Sequence, residues 1–275
     1  MTARPISPLQ LAFLLFAATF AGAAVSHAAT DAPHVSRERL IFLSRVVTLL
    51  LEGAMLLGIA QLRDGAARVL ERPIARARFG EVAAVLSVAL LAQFARFGVM
   101  ALDRWLHGGD PAVAALHLDP AAGMQTAWTA PVLRDRLLTA LIAPVVEELL
   151  FRGALYERLK ARRSTLTAML LTSLAFGLCH DDFFFAFAVG VVLNSLYVRT
   201  GSVRAAILVH AAVNLASWYP LLGQLLVPRP NDGLRSWSWQ LACIVMFAAL
   251  TTAYALLASR HPRPALELQP ALRSP

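Results

Sequence analysis

The stretch Pro144-Val-Val-Glu147-Glu148-Leu-Leu-Phe151-Arg152-Gly153 lies inside a longer apolar run, Leu137–Ala154, and its reading decides the fold. A run of that length and apolarity suits a membrane-spanning helix. A carboxylate at the centre of such a helix costs roughly 2.5–3.5 kcal/mol on insertion scales, so two adjacent ones point to function. On an α-helix Glu148 and Arg152 are i,i+4 neighbours and can pair. Glu147 is rotated by about 100° from Glu148 and stands five residues from Arg152. The helix geometry therefore neutralises Glu148 and leaves Glu147 facing a polar cavity. A carboxylate there with access to water is a candidate general base. Taken alone, the same residues also fit an ion-paired helix kink or an assembly contact.

Outward from this stretch, the chain repeats the pattern of apolar segments. They are roughly 9–29, 40–62, 79–102, 137–156, 164–180, 183–198, 205–225 and 239–258. Most approach the ~20 residues a spanning helix needs. Of the 275 residues, 58% are hydrophobic and 15% charged, against about 25% charged in soluble domains. The fold class expected is all-α, a polytopic integral membrane helix bundle of about eight transmembrane helices. The formal charge of +8 is carried by arginine, Lys160 being the single lysine. These cations fall in short loops, the pattern of topology signals, and this excludes nucleic acid as a partner. With eight crossings and the N-terminus inside, 15 Arg and Lys residues fall in inner loops and 7 in outer ones. That asymmetry predicts both termini cytoplasmic. The first segment reads as a retained helix, although Ser26-His27-Ala28 resembles a signal-peptide cleavage site. Cys179 and Cys243 both lie in apolar segments and offer neither a disulfide framework nor zinc spacing. The tail from about Arg260 is Pro-rich, the composition of a disordered segment.

Polar residues recur inside later segments. Phe176 and His180 share one helix face at i,i+4, so the phenyl ring can fix the imidazole, although a histidine at a helix end also suits the interface. His210 and Asn214 share a face in the same way and offer donors that stabilise an oxyanion. They equally fit an interhelical hydrogen bond. Arg45 and Glu52, seven apart and on nearly the same face, read as a structural pair or a packing contact. Glu81 and Arg96, near the ends of their segment, read as snorkelling to the interface.

Taken together, Glu147-Glu148-x-x-x-Arg152, Phe176-x-x-x-His180 and His210-x-x-x-Asn214 resemble the three motifs of the CAAX protease and bacteriocin-processing (CPBP) family. These are glutamic-type intramembrane endopeptidases, also described as metalloproteases, and include the type II CAAX prenyl endopeptidases. The linking stretch Gly190–Ser202 is similar too, and the resemblance covers about Leu137–Trp218. It implies that Glu147 activates water with help from His180. It implies that His210 and Asn214 bind the oxyanion or contribute to a metal site, and that Glu148 and Arg152 hold the helices. If a metal such as Zn²⁺ is bound, Glu147, His180 and His210 would be its ligands. The preferred mechanism requires no cofactor. The sequence contains no His-Glu-x-x-His zinc helix, no Gly-x-Gly-Asp motif and no serine in a Gly-x-Ser-Gly setting.

Three parts are expected: residues 1–130, N-terminal transmembrane helices without family signal; 131–220, a CPBP-like protease core; and 221–275, a last transmembrane helix and tail. The expected reaction is hydrolysis of a peptide bond in a membrane-associated protein or peptide by activated water. The partners are that membrane-anchored substrate and the lipid bilayer. High alanine and arginine with almost no lysine suggest a high-GC bacterium, hence the bacterial inner (plasma) membrane. Two other classes stay open: a non-proteolytic binding, immunity or regulatory member of the family, and a proton-coupled transporter using Glu147.

Overall fold

The computed structural model describes residues 6–28, 37–90, 130–180 and 183–216, and among them every regular element is a helix. The expected last transmembrane helix and tail, Arg96 and Cys243 lie outside the described residues. Helices α1 (Pro8–Ala28), α2 (Arg37–Gly58) and α3 (Ala60–Leu70) come first. They are followed by α4 (Phe79–Leu90). Helix α5 runs over 130–160 as five consecutive helical segments. Helices α6 (Thr165–Leu178), α7 (Phe183–Thr200) and α8 (Val203–Ala216) complete the described part.

Among the described residues, two helices are long and apolar enough to cross a bilayer, Pro8–Val25 and Phe183–Thr200. A third crossing is possible across the pair Phe42–Gly58 and Leu62–Leu70, which is bent by 92°. The exposed flanks of α1, such as Phe13 and Phe20, are apolar, as a lipid-facing surface requires. This is an integral membrane protein.

The bend corrects one expectation. Segment 40–62 reads as a single span, with Arg63 and Arg68 in the loop after it. Instead Ile59 is extended (φ −92°, ψ 101°) and breaks the helix, and both arginines ride on α3. Leu62, Ala66 and Val69 of α3 are buried with the second half of α5, and that packing redirects the chain.

Helix α5 is the axis. It is π-helical over Leu138–Ile142 and again over Leu149–Tyr156, and its backbone stays right-handed helical through each junction. Pro144 explains the first wide turn: it has no N–H to donate, and its ring clashes with the carbonyl one turn earlier. All eight residues of the second π segment are buried. Around it α1, α3, α6 and α7 build one apolar cluster, including Leu11, Leu15, Leu62, Leu150, Phe151 and Tyr156. A second cluster joins α4, α7 and α8 through Val82, Leu193, Leu196 and Val209. Lipid tails are as apolar as these side chains, so close packing and buried hydrogen bonds hold the helices together.

The α6–α7 crossing shows how. A Cβ on Gly190 would sit 3.1 Å from Ser173 Cα, so only glycine lets the two backbones approach this closely. One turn on, Asn194 Nδ2 donates to Ser173 Oγ at 2.9 Å. Glu81, expected to snorkel to the interface, accepts from Arg78 (2.6 Å) and from Arg199 of α7 (3.0 Å).

Candidate active site

Glu148 and Arg152 are fully buried and paired at 2.8 Å. The guanidinium also donates to the Gly190 carbonyl at 3.2 Å, which the bare α6–α7 crossing leaves reachable. Its Cζ lies 4.7 Å from the centre of the Phe176 ring, a cation–π contact. On its other side Glu148 Oε1 accepts from His210 Nδ1 at 2.9 Å. The pair thus ties α5 to α6, α7 and α8 at one level.

Glu147 faces the other way. Its side chain is 16% exposed, and Oε2 lies 3.8 Å from Nε2 of His180 and 3.8 Å from Nε2 of His210. That oxygen has no hydrogen-bond partner. The separations are too long for direct hydrogen bonds and leave space among the three groups. The histidine tautomers follow from their outer contacts. His180 Nδ1 lies 2.7 Å from the Phe176 carbonyl, which can only accept, so Nδ1 carries the proton. When neutral, His180 therefore presents its Nε2 lone pair to the cavity. Phe176 holds both rings, tilted against His180 at 4.4 Å between centroids and edge-on to His210 at 5.7 Å.

Straight helices would set His180 about 24 Å and His210 about 8 Å from the start of their segments, at unequal depths. His180 instead lies just past the end of α6, and its ring folds back onto the Phe176 carbonyl.

Asn214 enters the site through backbone chemistry that the sequence reading missed. In the π register Ala143 N–H bonds the Leu138 carbonyl. The Thr139 carbonyl would then need the next amide, that of Pro144, which has no hydrogen. Asn214 Nδ2 takes its place, donating to Thr139 O at 2.9 Å. The amide nitrogen carries a second hydrogen. Pro144 is the signal in the sequence that could have found Thr139.

These groups line one cavity of about 490 Å³. Along α5 the stripe Asp135, Thr139, Ala143, Glu147 forms one wall; Thr19 and Ala23 of α1 and Ser44, Arg45, Thr48 and Leu49 of α2 form another. At its far end Arg45 pairs with Asp135 at 2.5 Å. This corrects the expected Arg45–Glu52 pair: α5 supplies the arginine's partner, and Glu52 is buried instead.

The possible metal ligands Glu147, His180 and His210 do converge. Among the described residues, however, no group of three or more His, Cys, Asp or Glu side chains is arranged to hold a metal ion.

Fold and site together define a helical membrane protein with a buried acid–histidine centre. Residues 129–216 match the family model described as type II CAAX prenyl endopeptidase Rce1-like. That stretch holds all three motifs, so the match agrees with the resemblance to the CPBP family that they carry. No curated protein and no solved structure gives a match.

Proposed function

We propose that the protein is an intramembrane endopeptidase that hydrolyses a peptide bond of a membrane-associated protein or peptide. The observation that carries this reading is Glu147 Oε2, unpartnered and 3.8 Å from the Nε2 of each of two histidines. A water placed among these groups donates to Glu147 and to the lone pair of His180. Glu147 takes the proton as the hydroxyl oxygen bonds to the substrate carbonyl carbon. The developing oxyanion accepts from the second Asn214 N–H and from His210 Nε2. His210 can donate there only as the imidazolium, because Nδ1–H already serves Glu148, whose carboxylate offsets that charge. The C–N bond then breaks, and the leaving amine takes the proton back from Glu147. No covalent enzyme intermediate and no metal enter this route.

The Rce1-like match supports a protease of this type and a membrane-anchored substrate. Composition and arginine placement support a bacterial inner membrane with both termini cytoplasmic. The test compares purified wild type with Glu147→Ala on membrane-anchored candidate substrates, with and without a chelator. Wild type should cleave and be indifferent to the chelator. Glu147→Ala should lose at least about 10²-fold in rate, the scale of general base catalysis, with its thermal midpoint unchanged. Retained cleavage by Glu147→Ala would sink the reading.

A further inference from the structure

The basic stretches of the described chain meet at one end of the bundle. Helix α3 turns across the end of α2 at Ile59 and packs on the second half of α5. Ser202, between α7 and α8, donates to the Arg72 carbonyl at 2.8 Å, and Arg204 of α8 donates to the Leu70 carbonyl at 2.7 Å. Tyr197 of α7 donates to Glu157 of α5 at 2.7 Å. Residues 63–81, 157–163 and 199–204 are thereby gathered, and they carry 11 Arg and Lys residues. The starts of α2 and α5 form the opposite end, where Arg45 pairs with Asp135. Residues 37–45 and 130–136 carry five.

The cavity belongs to that opposite end. From Glu147 its α5 wall runs twelve residues back to Asp135, about 18 Å of helix. Thr19 and Ala23 lie in the second half of α1, and Ser44 and Arg45 in the first half of α2. These halves touch: a Cβ on Gly22 would sit 2.7 Å from the Ser44 carbonyl oxygen. His180 stands past the end of α6, away from the basic loop that precedes that helix. No described residue of the three basic stretches lines the cavity. Toward them the site is closed, because Glu148, Phe151, Arg152 and Phe176 are each no more than 1% exposed. Away from them it is open: Ala23 is exposed, and so is much of the Arg45 side chain.

We infer that the catalytic cavity opens away from the cytoplasm, so that the peptide bond it takes lies on the extracytoplasmic flank of the substrate's membrane anchor. The substrate class rests on the protease reading; the side on which the cavity opens rests on charge and packing alone. Arginine and lysine concentrate on the cytoplasmic side of membrane proteins, and eleven against five puts the α3 end there. Water and peptide then reach Glu147 from the other side. A cytoplasmic segment would have to pass the buried Glu148–Arg152 pair and the rings of Phe151 and Phe176. The chain to be cut has therefore entered or crossed the membrane first. A membrane-insertion or translocation step supplies the substrate, and the new chain ends form on the extracytoplasmic side.

The test maps the two ends on the full-length protein in intact bacterial spheroplasts and needs no substrate. Cys179→Ser with Cys243→Ser supplies the background. Single cysteines are placed by Ala23→Cys and, independently, Arg134→Cys at the open end, and by Arg163→Cys at the basic end; all three positions are exposed. A membrane-impermeant maleimide should label Ala23→Cys and Arg134→Cys in intact spheroplasts, and Arg163→Cys only after permeabilisation. Labelling of Arg163→Cys in intact spheroplasts, or of the two open-end variants only after permeabilisation, overturns the inference. In a cleavage assay, one membrane anchor carrying the same peptide segment on its outer or its inner flank should be cut on the outer flank only. Cleavage on the inner flank overturns the substrate class. Should neither form be cut by wild type, the protease reading fails while the labelling still decides the side on which the cavity opens.

Discussion

Glu147 and Glu148 are adjacent in sequence and opposite in circumstance. Glu148 stands in a closed region, fully buried, with Arg152 and His210 on Oε1. Glu147 stands at an open one, on a cavity of about 490 Å³, with an unpartnered oxygen between two imidazoles. One residue of helical rotation separates the group that holds four helices together from the group left free to react. The difference teaches that two carboxylates inside a membrane need not share a purpose: one has an oxygen held between a cation and an imidazole, the other presents an unpartnered oxygen to a cavity.

The sharpest way to break the comparison is Arg152→Ala. It leaves Glu148 buried without its cation and removes the contacts to Gly190 and Phe176. A loss of about 3–5 kcal/mol is expected, as for other broken buried pairs. The measurement is recovery of monodisperse protein together with thermal midpoint in detergent. Were Arg152→Ala as stable as wild type, the closed region would not be what holds the bundle. Glu147→Ala should do the reverse and cost rate alone.

Asn214→Leu comes next. It strands the Thr139 carbonyl that Pro144 cannot satisfy, at a cost of about 1–3 kcal/mol, and removes an oxyanion donor. Stability and kcat should therefore both fall, a combined signature that neither carboxylate variant gives. A fall in only one of them would show that Asn214 serves only one of the two regions. The smallest effect is expected of Arg45→Ala. The arginine side chain is 45% exposed, and such a pair is worth at most about 1 kcal/mol. Equilibrium unfolding should register little, and a large loss would show that the cavity mouth is part of the closed framework.

The sequence made the local relations legible. Glu148 with Arg152 and Phe176 with His180 each stand four apart, and helical spacing alone puts such residues on one face. The apolar composition likewise announced helices in a membrane. What stayed hidden depends on contacts between distant segments. Glu52 looked like the partner of Arg45 because both lie on one face of α2, and nothing local reveals that Asp135, ninety residues away, takes the arginine. The break at Ile59 was masked by apolar residues on both sides. The π segments carry the same hydrophobic residues as an α-helix would, so periodicity could not distinguish them.

Those wide turns have a consequence for how this protein tolerates change. An extra residue absorbed into a helix sets the angular phase of everything before it. Removing one residue from Leu138–Ile142 would let the segment relax to ordinary helix and turn the preceding part by about 100°. Asp135 would swing away from Arg45 even though every side chain of all three motifs remained intact. Within α5, chain length is therefore as strict a specification as residue identity, and substitutions should be accepted where insertions and deletions are not.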